Sequence, residues 1–507
     1  MSGTKPLQRL RECGHAEKFS VANHYLGFYN NVGVSVTYSH PGCSIPLESL
    51  IYNALRKVIE EHPILSAIPV DEHTKSPYYS RLPLIDLRSC VLIVERANAL
   101  SGVSSCDKEL DAILSERHNQ GFKQEHGARP FWSLIILHSP ECSNHFTASF
   151  IYHHALADGK SGLVFHQSFL DALQNLDRTH PESQPRLNAD PIVPSPSTPL
   201  LPPLEELHPL PLTFTYVAKL LWRGLFPESD AGLWLGNARP TIDIDRSSPD
   251  TSLVPPMHHR SLVLSKEVTA RLADLGRKNN ATMTATLQCL IAAAVFANLD
   301  EKQWYRLRAA GDISLRRFLR LDSRYGPVER LMGVWASQYF FEHRRRRRAE
   351  STADAELELR SKSEILQYFS WSEARSVKAE IAKEVAKNLK NNPVNLLRWV
   401  PDMIGAGLMQ MGKKRRESFE LSNLGILRPF KASDDDQDAE NRQWSMGRCV
   451  FSQSVPAMGP AFMISAVTGG DGCAVFCFGW REGAADSDWL AAVMASFEEA
   501  AKALALS

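Results

Sequence analysis

The sequence predicts an α/β protein built around mixed β-sheets. Strand-like and helix-like segments follow one another in mixed order along the 507 residues, which is typical of this class and not of a helical bundle or a pure sandwich. The hydrophobic share of 44 % and the charged share of 22 % are those of an ordinary globular protein. The length corresponds to about two or three domains.

The N-terminal elements are predicted from hydrophobic periodicity. Residues 28–37 alternate and are rich in β-branched and aromatic side chains, which indicates a strand. Residues 46–61 carry apolar side chains three and four positions apart, which predicts an amphipathic helix that ends before Pro63. A polar turn separates the runs 131–137 and 146–152, so these runs form a predicted hairpin.

A proline-rich stretch separates these elements from a second half. Prolines recur through residues 181–211, and because each proline fixes φ and removes a backbone donor, we interpret this stretch as an extended linker. Beyond it the sequence predicts a strand at 260–264, an N-cap at Ser265 and two helices at 266–278 and 282–299. The predicted domains are an N-terminal lobe at 1–180, a crossover segment at 181–258 and a C-terminal lobe at 259–507.

Charge and cysteine usage exclude several classes of protein. The 57 Lys and Arg residues balance the 57 Asp and Glu residues, so we expect no nucleic-acid partner. The nine cysteines lack any CxxC pair, which argues against a disulfide framework and a cysteine-rich zinc site. Residues 1–19 lack the apolar core of a signal peptide, and the apolar stretch 287–299 is too short for a membrane span. We therefore expect a cytoplasmic protein with reduced thiols.

The most unusual feature is the sequence YHHALADG at 152–159, which follows an apolar strand. Three interpretations compete: a metal site, a polar turn in which Asp158 begins the following helix, and a general base at His154. The metal site is the weakest, because adjacent histidines on a strand point to opposite faces and no third ligand stands at a familiar spacing. The polar turn alone leaves His154 without a role.

The pattern His153-His154 with Asp158-Gly159 resembles the HHxxxDG signature of the chloramphenicol-acetyltransferase-like superfamily, which contains coenzyme-A-dependent acyltransferases and condensation domains. Within it the chain is most similar to the fungal alcohol O-acetyltransferase family, through motifs in that family's order. These are LGFYNNV at 26–32, HPIL at 62–65, PFW at 130–132, DISLRR at 312–317, MGV at 332–334, ELSNLG at 420–425 and FSQS at 451–454. The sequence CFGWR at 477–481 only partly resembles the DFGWG motif of plant members, which favours the fungal branch.

The resemblance implies two chloramphenicol-acetyltransferase-like subdomains, each a mixed β-sheet with flanking helices, and an active-site tunnel at their interface. It implies that His154 deprotonates an acceptor hydroxyl, which attacks an acyl thioester without a covalent acyl-enzyme. It also implies that Asp158 turns away from the substrate and pairs with a basic side chain, so that the loop of His154 keeps its shape.

Further residues are candidates for contact with substrate or acyl-CoA. They are His153, Gly159, Arg316, Ser422, Asn423, Ser452 and Gln453. The serine and amide side chains supply donors for an oxyanion or make ordinary strand-end hydrogen bonds. Arg316 suits a coenzyme A phosphate or an ordinary ion pair. Gly159 allows a tight backbone path behind the histidine.

The predicted function is transfer of an acyl group, most simply acetyl, from acyl-CoA to an alcohol or a hydroxylated secondary metabolite. One alternative is an amine acceptor or a carrier-bound acyl donor, as in condensation domains. The other is a non-catalytic two-lobed protein that binds an apolar ligand. We expect no metal and no permanently bound cofactor, with acetyl-CoA or another acyl-CoA as the co-substrate, and we expect a monomer.

Two aromatic segments, 212–235 and 396–411, carry more apolar side chains than linkers need, and the second precedes the basic run 413–416. They form either a membrane contact or a lid over an apolar acceptor tunnel. A membrane contact would place the protein peripherally on the endoplasmic reticulum or on lipid droplets.

Overall fold

The computed structural model describes residues 7–43, 45–97, 106–122, 129–139, 142–179, 190–226, 229–237, 245–246, 249–346, 363–430 and 443–506. Within these residues the chain forms two large mixed β-sheets with helices packed on them. The predicted α/β class with mixed sheets is confirmed.

The elements follow one another in mixed order. The helices are α1 (His15–Tyr25), α2 (Leu47–Glu61), α3 (Lys108–His118), α4 (Gly159–Thr179), α5 (Leu204–Leu207), α6 (Phe214–Leu225), α7 (Lys266–Lys278), α8 (Met283–Ala297), α9 (Trp371–Ala386), α10 (Met403–Leu408) and α11 (Ser487–Ala505). The strands are β1 (Gln8–Glu12), β2 (Val32–Ser39), β3 (Ala67–Val70), β4 (Tyr78–Arg81), β5 (Leu84–Asp86), β6 (Val91–Glu95), β7 (Trp132–Ser139), β8 (Cys142–Tyr152), β9 (Ile192–Pro194), β10 (Leu233–Trp234), β11 (Met257–Leu264), β12 (Arg306–Ser314), β13 (Ala336–Arg344), β14 (Phe419–Ile426), β15 (Ser445–Gln453), β16 (Phe462–Thr468) and β17 (Ala474–Arg481).

The N-terminal lobe is a five-stranded sheet in the order β15-β2-β8-β7-β6, in which β6 and β7 are parallel and the other pairs are antiparallel. The predicted hairpin is present as β7 and β8, with Trp132 opposite Tyr152. Helices α2 and α4 pack together and against this sheet. Helix α2 buries the apolar stripe that predicted it, including Leu50, Ala54 and Val58.

The C-terminal lobe is a seven-stranded sheet in the order β10-β12-β14-β16-β17-β11, with β13 also paired to β12. Helix α7 occupies the predicted residues 266–278, and the Ser265 hydroxyl accepts the Val268 N–H as an N-cap. Helix α8 is buried at every residue from Ala285 to Phe296. Among the described residues no single helix has the length and apolarity to cross a membrane, and the α7–α8 pair, which meets those limits jointly, bends by 105°.

Strand β15 joins the two halves of the chain. It comes from the C-terminal half, yet it pairs antiparallel with β2 at the edge of the N-terminal sheet, with Phe451 opposite Val34. The predicted boundary at residue 259 therefore does not separate two independent sheets. Non-local pairing of this kind leaves no mark in local periodicity, because a strand has the same pattern whichever sheet it joins.

The crossover segment connects the lobes by contacts at both ends. Its residues 180–189 lie outside the described part of the chain. Strand β9 pairs with β5, whereas Leu204 and Leu207 of α5 are buried in the C-terminal core and β10 pairs with β12. The extended path from 195 to 203 agrees with the proline content. Helix α6 lies on the surface and has no buried residue.

Candidate active site

The HHxxxDG motif lies where the central strand β8 ends and α4 begins. The backbone N–H of His153 still donates to Phe131 of the neighbouring strand segment, at 2.9 Å. Successive side chains at a strand end point to opposite faces. His153 is accordingly fully buried, whereas His154 is partly exposed.

His154 differs from His153 in its exposure and its contacts. Its Nδ1 is buried and meets no hydrogen-bond partner among the described residues. The ring lies against the aromatic ring of Tyr29, with 5.3 Å between the centroids. Because Nδ1 is buried, a bound molecule can reach only the exposed part of the side chain. A partly exposed imidazole is suited to exchange a proton with such a molecule.

Asp158 is a structural anchor of the His154 loop. Its carboxylate accepts two hydrogen bonds from Arg316, at 2.7 and 3.0 Å, and others from Ser161 and from the Trp335 N–H. Burial alone would raise the pKa of Asp158, but the charge and hydrogen bonds of Arg316 hold the pKa below its usual value. The carboxylate also caps α4 through the Ser161 N–H.

A buried cluster fixes His153 on the other side of the loop. Glu72 accepts the Nδ1–H of His24 at 3.0 Å, and its second oxygen lies 3.7 Å from Nε2 of His153. Backbone N–H groups of Phe122 and Ala155 donate to the remaining ring nitrogens of His24 and His153. Each neutral imidazole therefore carries its proton toward Glu72. His24 thus donates to Glu72, whereas Nε2 of His153, at 3.7 Å, makes no hydrogen bond among the described residues. The ligand atoms of the three side chains lie within 4.8 Å of one another.

A second group of polar side chains lies on the C-terminal sheet. Asp312 stands opposite Gln338 on β13, and Ser422 on neighbouring β14 donates a hydrogen bond to Asp312. Gln338 also donates to Glu420 at 3.1 Å. Asp312 lies within electrostatic range of His154. We call Asp312, Gln338, Glu420 and Ser422 the carboxylate wall.

Burial raises the pKa of both acids of the carboxylate wall. Burial, and then the charge of Asp312, raise the pKa of Glu420 well above its usual value. Burial also raises the pKa of Asp312, which the Ser422 hydrogen bond and His154 oppose. Both carboxyl groups are therefore harder to ionise than free ones.

Tyr29 lies against His154, and Gln453 lies beside Tyr29. The Tyr29 hydroxyl donates to Oε1 of Gln453 at 3.0 Å, which leaves the Nε2 amide of Gln453 buried without a partner among the described residues. Burial, and then Glu420 and Asp312, raise the pKa of Tyr29 far above its usual range, so its hydroxyl stays a donor. Gln453 was a candidate from the sequence, whereas Tyr29 was noted only within a motif.

Other candidates make internal contacts. Ser452 is fully buried and pairs with Nε2 of His118 at 2.8 Å. Asn423 points to the opposite face of β14 from Ser422, where its amide donates to Thr284 at 3.1 Å. Both residues therefore make the ordinary hydrogen bonds that were the alternative to substrate contact. Arg316 likewise makes an ion pair, with Asp158.

Gly159 is required by close packing. A Cβ at this position would approach Leu424 at 2.8 Å and the ring of Phe451 at 3.0 Å. These side chains come from β14 and β15, which lie on opposite sides of the lobe boundary. The glycine thus lets the start of α4 lie against both.

Arg481 has a structural position in the divergent CFGWR motif. It is buried, and its guanidinium donates to the carbonyl groups of Val455 and Pro255, each at 2.7 Å, and to Phe28 at 3.2 Å. Burial, and then the charge of Arg415, lower the pKa of Arg481 to about 9. Its contacts tie the N-terminal leader, the crossover and the C-terminal lobe together.

Comparison with known proteins agrees with this geometry. The family model for alcohol acetyltransferases matches residues 12–326, which is more than half of the chain. The probable alcohol acetyltransferase crmB of Aspergillus fumigatus is 32% identical over 486 residues, which cover 94% of this chain and 96% of that protein.

Two solved structures share the fold across almost the whole chain. The TRI3 trichothecene 15-O-acetyltransferase from Fusarium sporotrichioides has a TM-score of 0.68 at 12% identity and covers 99% of this chain and 100% of its own. The starter condensation domain of rhizomide synthetase, in complex with C8-CoA, has a TM-score of 0.58 at 12% identity and covers 99% and 95%. Both belong to the two-lobed architecture described above.

Proposed function

We propose, on the premise that this chain belongs to the alcohol acetyltransferase family, that it transfers an acetyl group from acetyl-CoA to the hydroxyl of a small-molecule alcohol. Membership makes the protein an acyltransferase. The identity of the donor and the roles of the residues below are our proposal.

The proposal depends on one observation: the side chain of His154 is partly exposed, while both flanks of its loop are fixed. In the proposed step His154 takes the proton of the acceptor hydroxyl as its oxygen attacks the thioester carbonyl. The carbon–sulfur bond then breaks, and the imidazolium returns the proton to the coenzyme A thiolate. Base catalysis of this kind supplies about 10²- to 10⁴-fold of the acceleration.

We assign the Nε2 amide of Gln453 to the developing oxyanion. It is a buried donor without a protein partner among the described residues, and the Tyr29 hydroxyl fixes the amide through Oε1. A preorganised donor of this kind stabilises charge that appears only in the transition state. Gln453→Leu should lower kcat by about 10²-fold while KM for the acceptor stays nearly constant. A variant that raises KM alone would reassign Gln453 to ground-state binding.

The test of the base is a transfer assay with acetyl-CoA and a panel of alcohols and amines, followed by mass spectrometry, on wild type and His154→Ala. We expect esters from the wild type and a loss of about 10²- to 10⁴-fold in the variant. Glu60→Gln, at an exposed position on α2, is the control variant. Undiminished transfer by a folded His154→Ala protein would overturn the base assignment.

The products also separate the remaining alternatives. Amides would show N-acylation. Absence of any product from the wild type would favour a carrier-bound donor or a binding role over the proposed reaction.

A further inference from the structure

Helix α6 exposes an apolar face that the protein does not cover. Phe214, Leu221, Trp222, Leu225 and Phe226 are each between 58 % and 86 % exposed, and we call these five residues the α6 patch. Isolated apolar residues are common on protein surfaces, but a contiguous cluster of this size marks an interaction site.

The orientation of α6 is fixed by polar contacts at its start. The backbone N–H of Thr213, the N-cap, donates to Asn391 at 2.8 Å, and its hydroxyl accepts the Tyr216 N–H. Tyr216 and Leu220 lie on the face toward the protein and are partly buried. Phe214, Leu221 and Leu225 follow at helical spacing on the opposite face. The apolar face therefore points outward.

Basic side chains lie on α6 and near the segment that follows it. Helix α6 contains Lys219 and Arg223 but no Asp or Glu. Beyond its end, Lys414 pairs with Asp230 at 3.3 Å, which brings the exposed basic residues Lys413 and Arg416 near the same region. An apolar helix face bordered by Lys and Arg is complementary to the acyl chains and anionic headgroups of a membrane surface.

We propose that the α6 patch and the basic residues beside it dock the protein on the surface of an anionic phospholipid bilayer. In this arrangement α6 lies in the plane of the interface, with Leu221 and Leu225 among the acyl chains and Lys413 and Lys414 at the headgroups. A second copy of the chain fits the α6 patch less well, because its basic residues would lie against the basic residues of the first copy. A lid fits less well too, because the apolar face is turned away from the protein.

The test is flotation of the full chain with vesicles of phosphatidylcholine containing about 30 % phosphatidylserine. We expect binding by the wild type, and a decrease of at least about tenfold for the Leu221→Glu/Leu225→Glu variant. Leu506→Glu is the matched control, because Leu506 is 82 % exposed at the far end of the chain, and it should bind as the wild type does. This assay needs no enzymatic turnover, so it is independent of the proposed reaction.

The charge contribution is tested with Lys413→Glu/Lys414→Glu. This variant should lose at least about tenfold in binding to the anionic vesicles and little on pure phosphatidylcholine. Failure of the wild type to float would overturn the proposal, as would equal flotation of the Leu221→Glu/Leu225→Glu variant. A wild-type dimer that this variant splits, seen by light scattering without vesicle binding, would assign the patch to a second copy. If the Leu221→Glu/Leu225→Glu variant floated normally but no longer acylated a water-soluble alcohol, the α6 patch would be assigned to a lid.

Discussion

On one side of the proposed active site, Asp158 forms a bidentate ion pair with Arg316, whereas on the carboxylate wall burial raises the pKa of Asp312 and Glu420, and the charge of Asp312 raises that of Glu420 further. The first side keeps the His154 loop in one shape, because every charge there has a partner. The second side retains an electrostatic cost that a bound molecule can relieve by donating hydrogen bonds. The histidine thus lies between an ion-paired scaffold and two buried carboxyl groups with raised pKa values.

Replacement of Asp158 should have the largest effect on stability. Asp158→Asn leaves the guanidinium of Arg316 buried and without its bidentate carboxylate partner, so we expect a loss of about 3–5 kcal/mol in the free energy of unfolding, measured with urea. Asp158→Asn combined with Arg316→Met should cost less than the sum of the single changes. Additive losses would mean that the two residues do not act as a pair.

The stability of the wild type should depend on pH because of Glu420. A group whose folded-state pKa is raised contributes stability that is complete below its unfolded pKa and is lost as the pH rises through the folded pKa. Because Glu420 is of this kind, wild-type Tm should fall relative to Glu420→Gln as the pH rises from about 4.3 toward the raised value.

Thermal unfolding of both proteins across this pH range measures the effect. Glu60→Gln removes a carboxylate from the surface of α2 and serves as the control, so its curve should follow that of the wild type. Parallel curves for the wild type and Glu420→Gln would mean that Glu420 ionises equally in the folded and unfolded states.

The two sides of the site also differed in what the sequence could predict. The sequence predicts roles for His154 and Asp158 because both lie within one contiguous motif. Asp312 and Glu420 also lie in recognised motifs, but their roles depend on the pairing of β12 with β13 and β14, which no local pattern specifies.

The fold shows the same limit. The helix at 266–278 was predicted to the residue because its N-cap and periodicity are local signals. The placement of β15 in the N-terminal sheet was not predicted, since it depends on contacts more than 400 positions apart, such as Ser452 with Gly33. The aromatic content of α6 was visible in the sequence, whereas its outward orientation required the Thr213–Asn391 contact.

The return of β15 to the N-terminal sheet affects how the chain matures during synthesis. Strand β2 emerges among the first residues, but one of its edges has no strand beside it until residues 445–453 have been made. At about 5–20 residues per second this interval lasts on the order of tens of seconds. Throughout it, an apolar strand edge is available to other nascent chains. A product truncated before residue 445 would therefore be an aggregation-prone open sheet, and not half of an enzyme.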